Sequence, residues 1–178
     1  MRSTVLALAA LVFAASADST HRESVAPDVK AFLSRVAGVY RHRFKNAHVD
    51  GTTYESEDIL EVVPVNDSAA YVRMDLEFYN GHSGRIYGIA TYGKNSLVYD
   101  NGKEGDRRCV VEYVWSVDSV VTRADYDQTP GCLAYHGTRG TLDDAKFLIK
   151  SRQTIRYMDR LKNSPEFAEA MEEYRRRR

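Results

Sequence analysis

Between Gly38 and about Thr138, apolar and polar residues alternate with a period of two, and short clusters of turn residues break the pattern. The clearest run is Ala70 to Tyr79. Ala70, Val72, Met74, Leu76 and Phe78 fall on one side, and Tyr71, Arg73, Asp75, Glu77 and Tyr79 on the other. That is the signature of an antiparallel strand with one buried face. Turn signals stand at Asn66-Asp67-Ser68, Asn80-Gly81 with Gly84, Gly93-Lys94-Asn95, Asn101-Gly102 and Asp118-Ser119. Between them the spacing predicts strands at about 39–45, 55–64, 70–79, 84–92, 96–100, 108–116, 119–125 and 132–138. The connections are short, so successive strands form a meander of hairpins. A sandwich or a barrel would satisfy this count. A meander favours an up-and-down barrel, because closure removes exposed edges.

Helical periodicity flanks this region. Val25, Val29, Phe32, Leu33 and Val36 share one face of a predicted helix over Ser24 to Val36, with Pro27 in its first turn. From about residue 151 the chain turns helical again. Ile155, Met158 and Leu161 suggest a short helix. Ser164 reads as an N-cap followed by Pro165 and Glu166, and Phe167, Ala170, Met171 and Tyr174 form one stripe. Arg175 to Arg178 then suit a helix C-terminus, where cations are favoured.

At the other end, Arg2, the apolar run Val5 to Ala15 and Ala15-Ser16-Ala17 read as a removable export signal over residues 1–17. The remaining 18–178 make a single β-barrel domain with a C-terminal helical segment, periplasmic or secreted. No later stretch reaches the roughly 20 apolar residues of a transmembrane helix. Cys109 and Cys132 are the only cysteines, and a lone pair in an exported chain is expected to form a disulfide. It would close a loop of about 23 residues, worth roughly 3 kcal/mol. The 25 basic and 25 acidic residues balance to a formal charge of 0, which argues against a general nucleic-acid or membrane-surface binder.

The order of parts resembles the lipocalin-like, or calycin, barrels: a helical turn, Gly38-Val39-Tyr40 where lipocalins carry Gly-x-Trp, eight meandering strands and a C-terminal helix. The resemblance spans roughly Phe32 to Tyr174, with Tyr40 in place of the tryptophan. It implies a cup with apolar inward residues and a bound lipophile. A second resemblance, at the level of class, is to small exported bacterial proteins that inhibit lysozymes.

Chemistry-bearing residues are few. His42 and His48 with Asp50, and Asp100 or Asp106 as a third ligand, match no known metal spacing, so no metal and no cofactor is assigned. His82-Ser83 lacks a third group, and no Gly-x-Ser-x-Gly elbow occurs. Asp75 and Glu77, with Glu57 and Asp58, could pair as carboxylates for glycoside cleavage, but read better as an outer face partnered by Arg73 and Arg85. Gly137-Thr138-Arg139-Gly140 closes a strand and does not open a helix, so it is no phosphate cradle. Asn66-Asp67-Ser68 fits a glycosylation acceptor in a eukaryotic secretory pathway.

The aromatic set carries more. There are 12 tyrosines, and Tyr87, Tyr92, Tyr113, Trp115 and Tyr135 would line a ligand cup if one sheet face encloses it. Asp125, Tyr126 and Asp127 lie in a connection that the disulfide would pin, a candidate protein-contact loop. The expected function is therefore an exported, non-enzymatic binding protein holding a small apolar ligand in its cup. The alternative is a protein-binding module or inhibitor acting through that rim loop. The sequence assigns no oligomeric state.

Overall fold

The computed structural model describes residues 27–177; the predicted export signal and residues 24–26 of the predicted first helix lie outside them. Helix α1 (Pro27–Val36) leads into eight strands: β1 (Gly38–Ala47), β2 (Thr53–Pro64), β3 (Ala69–Glu77), β4 (Ser83–Gly93), β5 (Ser96–Asp100), β6 (Val110–Trp115), β7 (Ser119–Arg123) and β8 (Lys146–Leu148). Helices α2 (Met158–Lys162) and α3 (Pro165–Arg176) end the chain. Strand order follows chain order, and each strand is antiparallel to the next. The backbone after β8 returns to β1. Val39 N–H donates to Gln153 O at 2.9 Å, Gln153 N–H to Val39 O at 2.8 Å, and Arg41 N–H to Ser151 Oγ at 3.2 Å. The result is a nearly closed up-and-down barrel flanked by helices, as the alternation predicts.

Seven strands match the sequence reading to within two residues at each end. The eighth does not. Residues 132–138 are not a strand: 130–135 and 137–139 form 3-10 turns, and the last strand is Lys146–Leu148. Cys132 and His136 are buried and Tyr135 half-buried, at i, i+4 and i+3, while Leu133 stays 46% exposed, which is helical spacing. Pro130 starts the turn, and Gly137 at φ 68° ends it.

Inward positions carry large side chains. Tyr40, Tyr99, Tyr113, Leu60, Met74, Ile86 and Phe147 are all but fully buried in one cluster. Gly88 is inward too, and a Cβ there would fall 2.0 Å from the Tyr99 ring, so that ring occupies the space a side chain at 88 would need. Both barrel ends are stoppered. At one, Phe32 of α1 meets Tyr92 and Trp115 edge-on at 5.2 and 5.5 Å. There Trp115 Nε1–H donates to Tyr40 Oη at 3.2 Å, and Tyr40 O–H donates to Val36 O at 2.7 Å. At the other, the segment 124–145 tucks Leu142, His136 and the half-buried Tyr126 against Phe78 and the inner cluster.

The outer face departs from the expected polar surface along half of β3. Tyr71 is fully buried, beneath Phe167 at 5.0 Å, in a second cluster with Val39, Val63, Ile89, Ile155, Leu161 and Ala170. The apolar stripe of α3 needs a face to bury against, and the small and branched outer residues of β1 to β4 supply it. Farther along the same strands the face is a charge ladder, in which Arg41 and Arg43 pair with Glu57, and Arg85 and Arg73 with Asp75. Ser164 caps α3 as predicted, its Oγ accepting from Phe167 N–H at 3.2 Å.

Candidate functional site

The wall of the barrel parts where β4 loses its second neighbour. Strand β5 pairs with β4 only from Thr91 to Gly93, against Ser96 to Val98, so Ser83 to Ala90 pair with β3 alone. Past Asp100 the chain swings away through Gly102 at φ 66°. Asn101 fixes that excursion: its side-chain oxygen accepts from Cys109 N–H at 3.0 Å and Lys103 N–H at 3.1 Å, and its amide donates to Arg107 O at 2.9 Å. The Cys109–Cys132 disulfide, with Cα atoms 4.6 Å apart, then fastens the turn 130–135 beside it. Gly131 fits closely there: its N–H donates to Arg108 O at 3.0 Å, and a Cβ would lie 2.3 Å from the Arg107 carbonyl carbon. The fourth side is α3, lying across the outer face of β4.

These pieces enclose a groove of about 950 Å³ lined by Tyr87, Tyr99 and Tyr135, by Lys103, Asp106 and Arg107 from the 101–109 excursion, and by Glu169, Glu173, Arg176 and Arg177 at the end of the chain. The volume is at the upper end of small-molecule sites. Tyr99 Oη lies 3.5 Å from Tyr135 Oη. Tyr87 O–H donates to Glu169 Oε2 at 2.8 Å, and that hydrogen bond, with partial burial, pushes the Tyr87 phenol up to about 12. Burial, reinforced by Tyr135, raises the Tyr99 phenol further. The Tyr87 and Tyr99 phenols therefore stay neutral at physiological pH, and with Tyr135 they line the groove.

The five aromatic residues expected to line one cup separate into two places. Tyr113 is fully buried in the barrel, and Tyr92 and Trp115 pack against its inner cluster beside α1. Tyr87 sits outside, in the groove, and Tyr135 borders the groove while also packing against the inner cluster. In the rim loop, Asp125 and Asp127 are exposed, and Asp125 Oδ1 accepts from Asp127 N–H and Gln128 N–H at 3.0 and 3.2 Å. Tyr126 turns inward: its hydroxyl accepts from Leu142 N–H at 2.6 Å and meets His136 Nε2 at 2.8 Å. Burial holds the His136 imidazole below its usual range.

The remaining candidates serve other purposes. His42 Nδ1 lies 3.3 Å from Asp58, His48 stacks on Tyr54 at 4.4 Å, and His82 Nε2 accepts from Arg139 at 3.2 Å. Among the described residues no group of three or more His, Cys, Asp or Glu could hold a metal ion. Asp75 is taken up by Arg73 and Arg85. Burial, with Asp58 and Asp75 nearby, raises the Glu77 carboxyl. Sequence reasoning missed Lys103, Arg107, Glu169 and Glu173. The arginine run was visible, but nothing along the chain says that α3 folds back over β4 and carries it to the 101–109 excursion.

Comparison with protein-family models, with curated proteins and with solved structures returns no match. Among the described residues no helix is long and apolar enough to cross a membrane.

Proposed function

We propose that this chain is an exported, non-enzymatic binding protein of lipocalin-like architecture that holds a small molecule in the groove between β4, the disulfide-pinned turn and α3. The observation that carries this reading is the division of the tyrosines. The inward ones are spent on packing, whereas Tyr87 and Tyr135 border an open groove of about 950 Å³ together with convergent charged groups. Apolar bodies with a few placed polar groups are what a ligand site requires. The disulfide and the absence, among the described residues, of a membrane-crossing helix agree with a protein working outside the cytoplasm. The protein-partner alternative keeps Asp125 and Asp127 as contacts and loses Tyr126, whose hydroxyl is engaged internally.

The test is native and denaturing mass spectrometry of the full chain produced in a host with an oxidising periplasm. The reading expects an added mass that vanishes on denaturation. It also expects that mass to be lost in Ala134→Trp, because Ala134 is exposed on the groove wall and a larger side chain fills the groove without entering the core. A clean protein mass, or an added mass retained by the variant with unchanged circular dichroism, would overturn it.

A further inference from the structure

The groove is lined by charges of both signs. Along α3 the lining groups run from Glu169 and Glu173 to Arg176 and Arg177, and Glu169 and Arg176 lie about 10 Å apart along the helix at 1.5 Å per residue. The facing excursion adds Lys103 and Arg107. Arg177 is seated beside them: a Cβ on Gly102 would fall 2.6 Å from its Cδ, so its stem rests on that glycine turn. Elsewhere on the surface, among the described residues, Arg41, Arg43, Arg85, Arg108 and Arg123 each form a salt bridge with a carboxylate, and Lys45, Lys94 and Arg156 do not. Among the described residues, Lys103, Arg107, Arg176 and Arg177 form none, although Asp106, Glu169 and Glu173 line the same groove. Apart from the Tyr87 hydroxyl on Glu169, these charges of both signs line one slot without salt-bridge partners and beside phenols, and they match a ligand carrying opposite charges at its two ends.

We infer that the groove selects a dipolar ligand, a short peptide with both termini free. Its ammonium lies at Glu169 and Glu173, its carboxylate at Lys103, Arg107, Arg176 and Arg177, and its body over Tyr99 and Tyr135. This rests on the groove being the binding site. An extended chain advances about 3.3 to 3.6 Å per residue, so the span suits about three residues. The Tyr99 and Tyr135 hydroxyls can serve its backbone, and the half-exposed Tyr135 ring can pack against a central apolar side chain.

Calorimetric titration of the full chain with the tripeptide Ala-Phe-Ala, its N-acetyl form and its C-terminal amide tests this. The free peptide is expected to bind, and blocking either terminus to weaken binding about tenfold or more, the worth of one charge-assisted contact. Glu169→Gln with Glu173→Gln should abolish the penalty for acetylation and leave that for amidation. Lys103→Gln with Arg177→Gln should do the reverse. Equal binding of free and acetylated peptide would mark a simple anion site and overturn the inference, as would no binding of any form. If no peptide binds while the carried mass is still lost in Ala134→Trp, the dipolar ligand is wrong and the groove stands. If the carried mass is absent too, both fall.

Discussion

The barrel interior and the groove beside α3 both contain tyrosines, and they use them in opposite ways. In the interior, Tyr40, Tyr99 and Tyr113 are packed to near-zero exposure among Leu60, Met74, Ile86 and Phe147. In the groove, Tyr87 and Tyr135 stay half-exposed beside charged neighbours. Register decides which fate a tyrosine meets. Tyr87 opposes Arg73 on the outer face of β3 and β4, while Tyr99 folds over Gly88 into the interior. Tyr99 belongs to both regions, since its buried ring fills the barrel and its hydroxyl reaches Tyr135. The comparison teaches that eight strands alone do not make a cup. With bulky side chains at the inward positions and both ends stoppered, the barrel is a scaffold, and the accessible space arises where its wall comes apart.

The largest expected effect breaks that comparison from the inside. Tyr113→Ala should cost about 3 to 5 kcal/mol, the range for removing a buried aromatic ring, read by urea denaturation. A loss below about 1 kcal/mol would mean that the interior is loosely filled. Replacing Cys109 and Cys132 together with serine should cost about 3 kcal/mol for a sequence separation of 23. It should also free the turn that carries Tyr135, so hydrogen exchange at 130–139 should speed up more than at β2 and β3. Ser164→Ala removes the N-cap of α3, the groove's outer wall, and should cost about 1 kcal/mol. Tyr113→Phe should be neutral within about 0.5 kcal/mol or stabilising. The Tyr113 hydroxyl is buried with no hydrogen-bond partner, and deleting it leaves no group unsatisfied.

A pH effect is the subtlest. His136 at the stoppered end has its folded-state pKa below the unfolded value of about 6.5. Just below pH 6.5 the unfolded chain therefore binds more protons, and stability rises with pH there. Its contribution is complete above about 6.5 and is lost as pH falls through that value toward the folded pKa. Denaturation midpoints between about pH 5 and 7.5 should follow this trend in the native chain and show a flatter dependence in His136→Gln. An unchanged slope in the variant would remove His136 from the account.

Much of this molecule was legible in its sequence, and the misses have physical causes. Alternation located seven strands because each spans at least five residues with one side buried. The eighth strand has only three residues, and within it only Phe147 is buried, too little for a period to register. The stretch 132–138 imitates alternation, yet Pro130 and the disulfide hold it in 3-10 turns. The buried outer Tyr71 was hidden because β3 reads the same whether a helix or water lies on its far face. The groove was visible only in fragments: Tyr87, Tyr135 and the terminal arginines each stood out alone. Their meeting with Lys103 and Arg107 depends on how α3 crosses β4, a tertiary contact that local pattern does not encode.

The most direct test of the central claim uses the single tryptophan. Trp115 packs against the interior beside Phe32 and Tyr40, so a ligand entering the barrel at the α1 end comes against it, whereas one in the groove does not. Titrating the protein with a fatty acid brominated along its chain, whose bromines quench indole only at close range, should leave Trp115 emission unchanged. Saturable quenching would place the ligand inside the barrel and contradict the account.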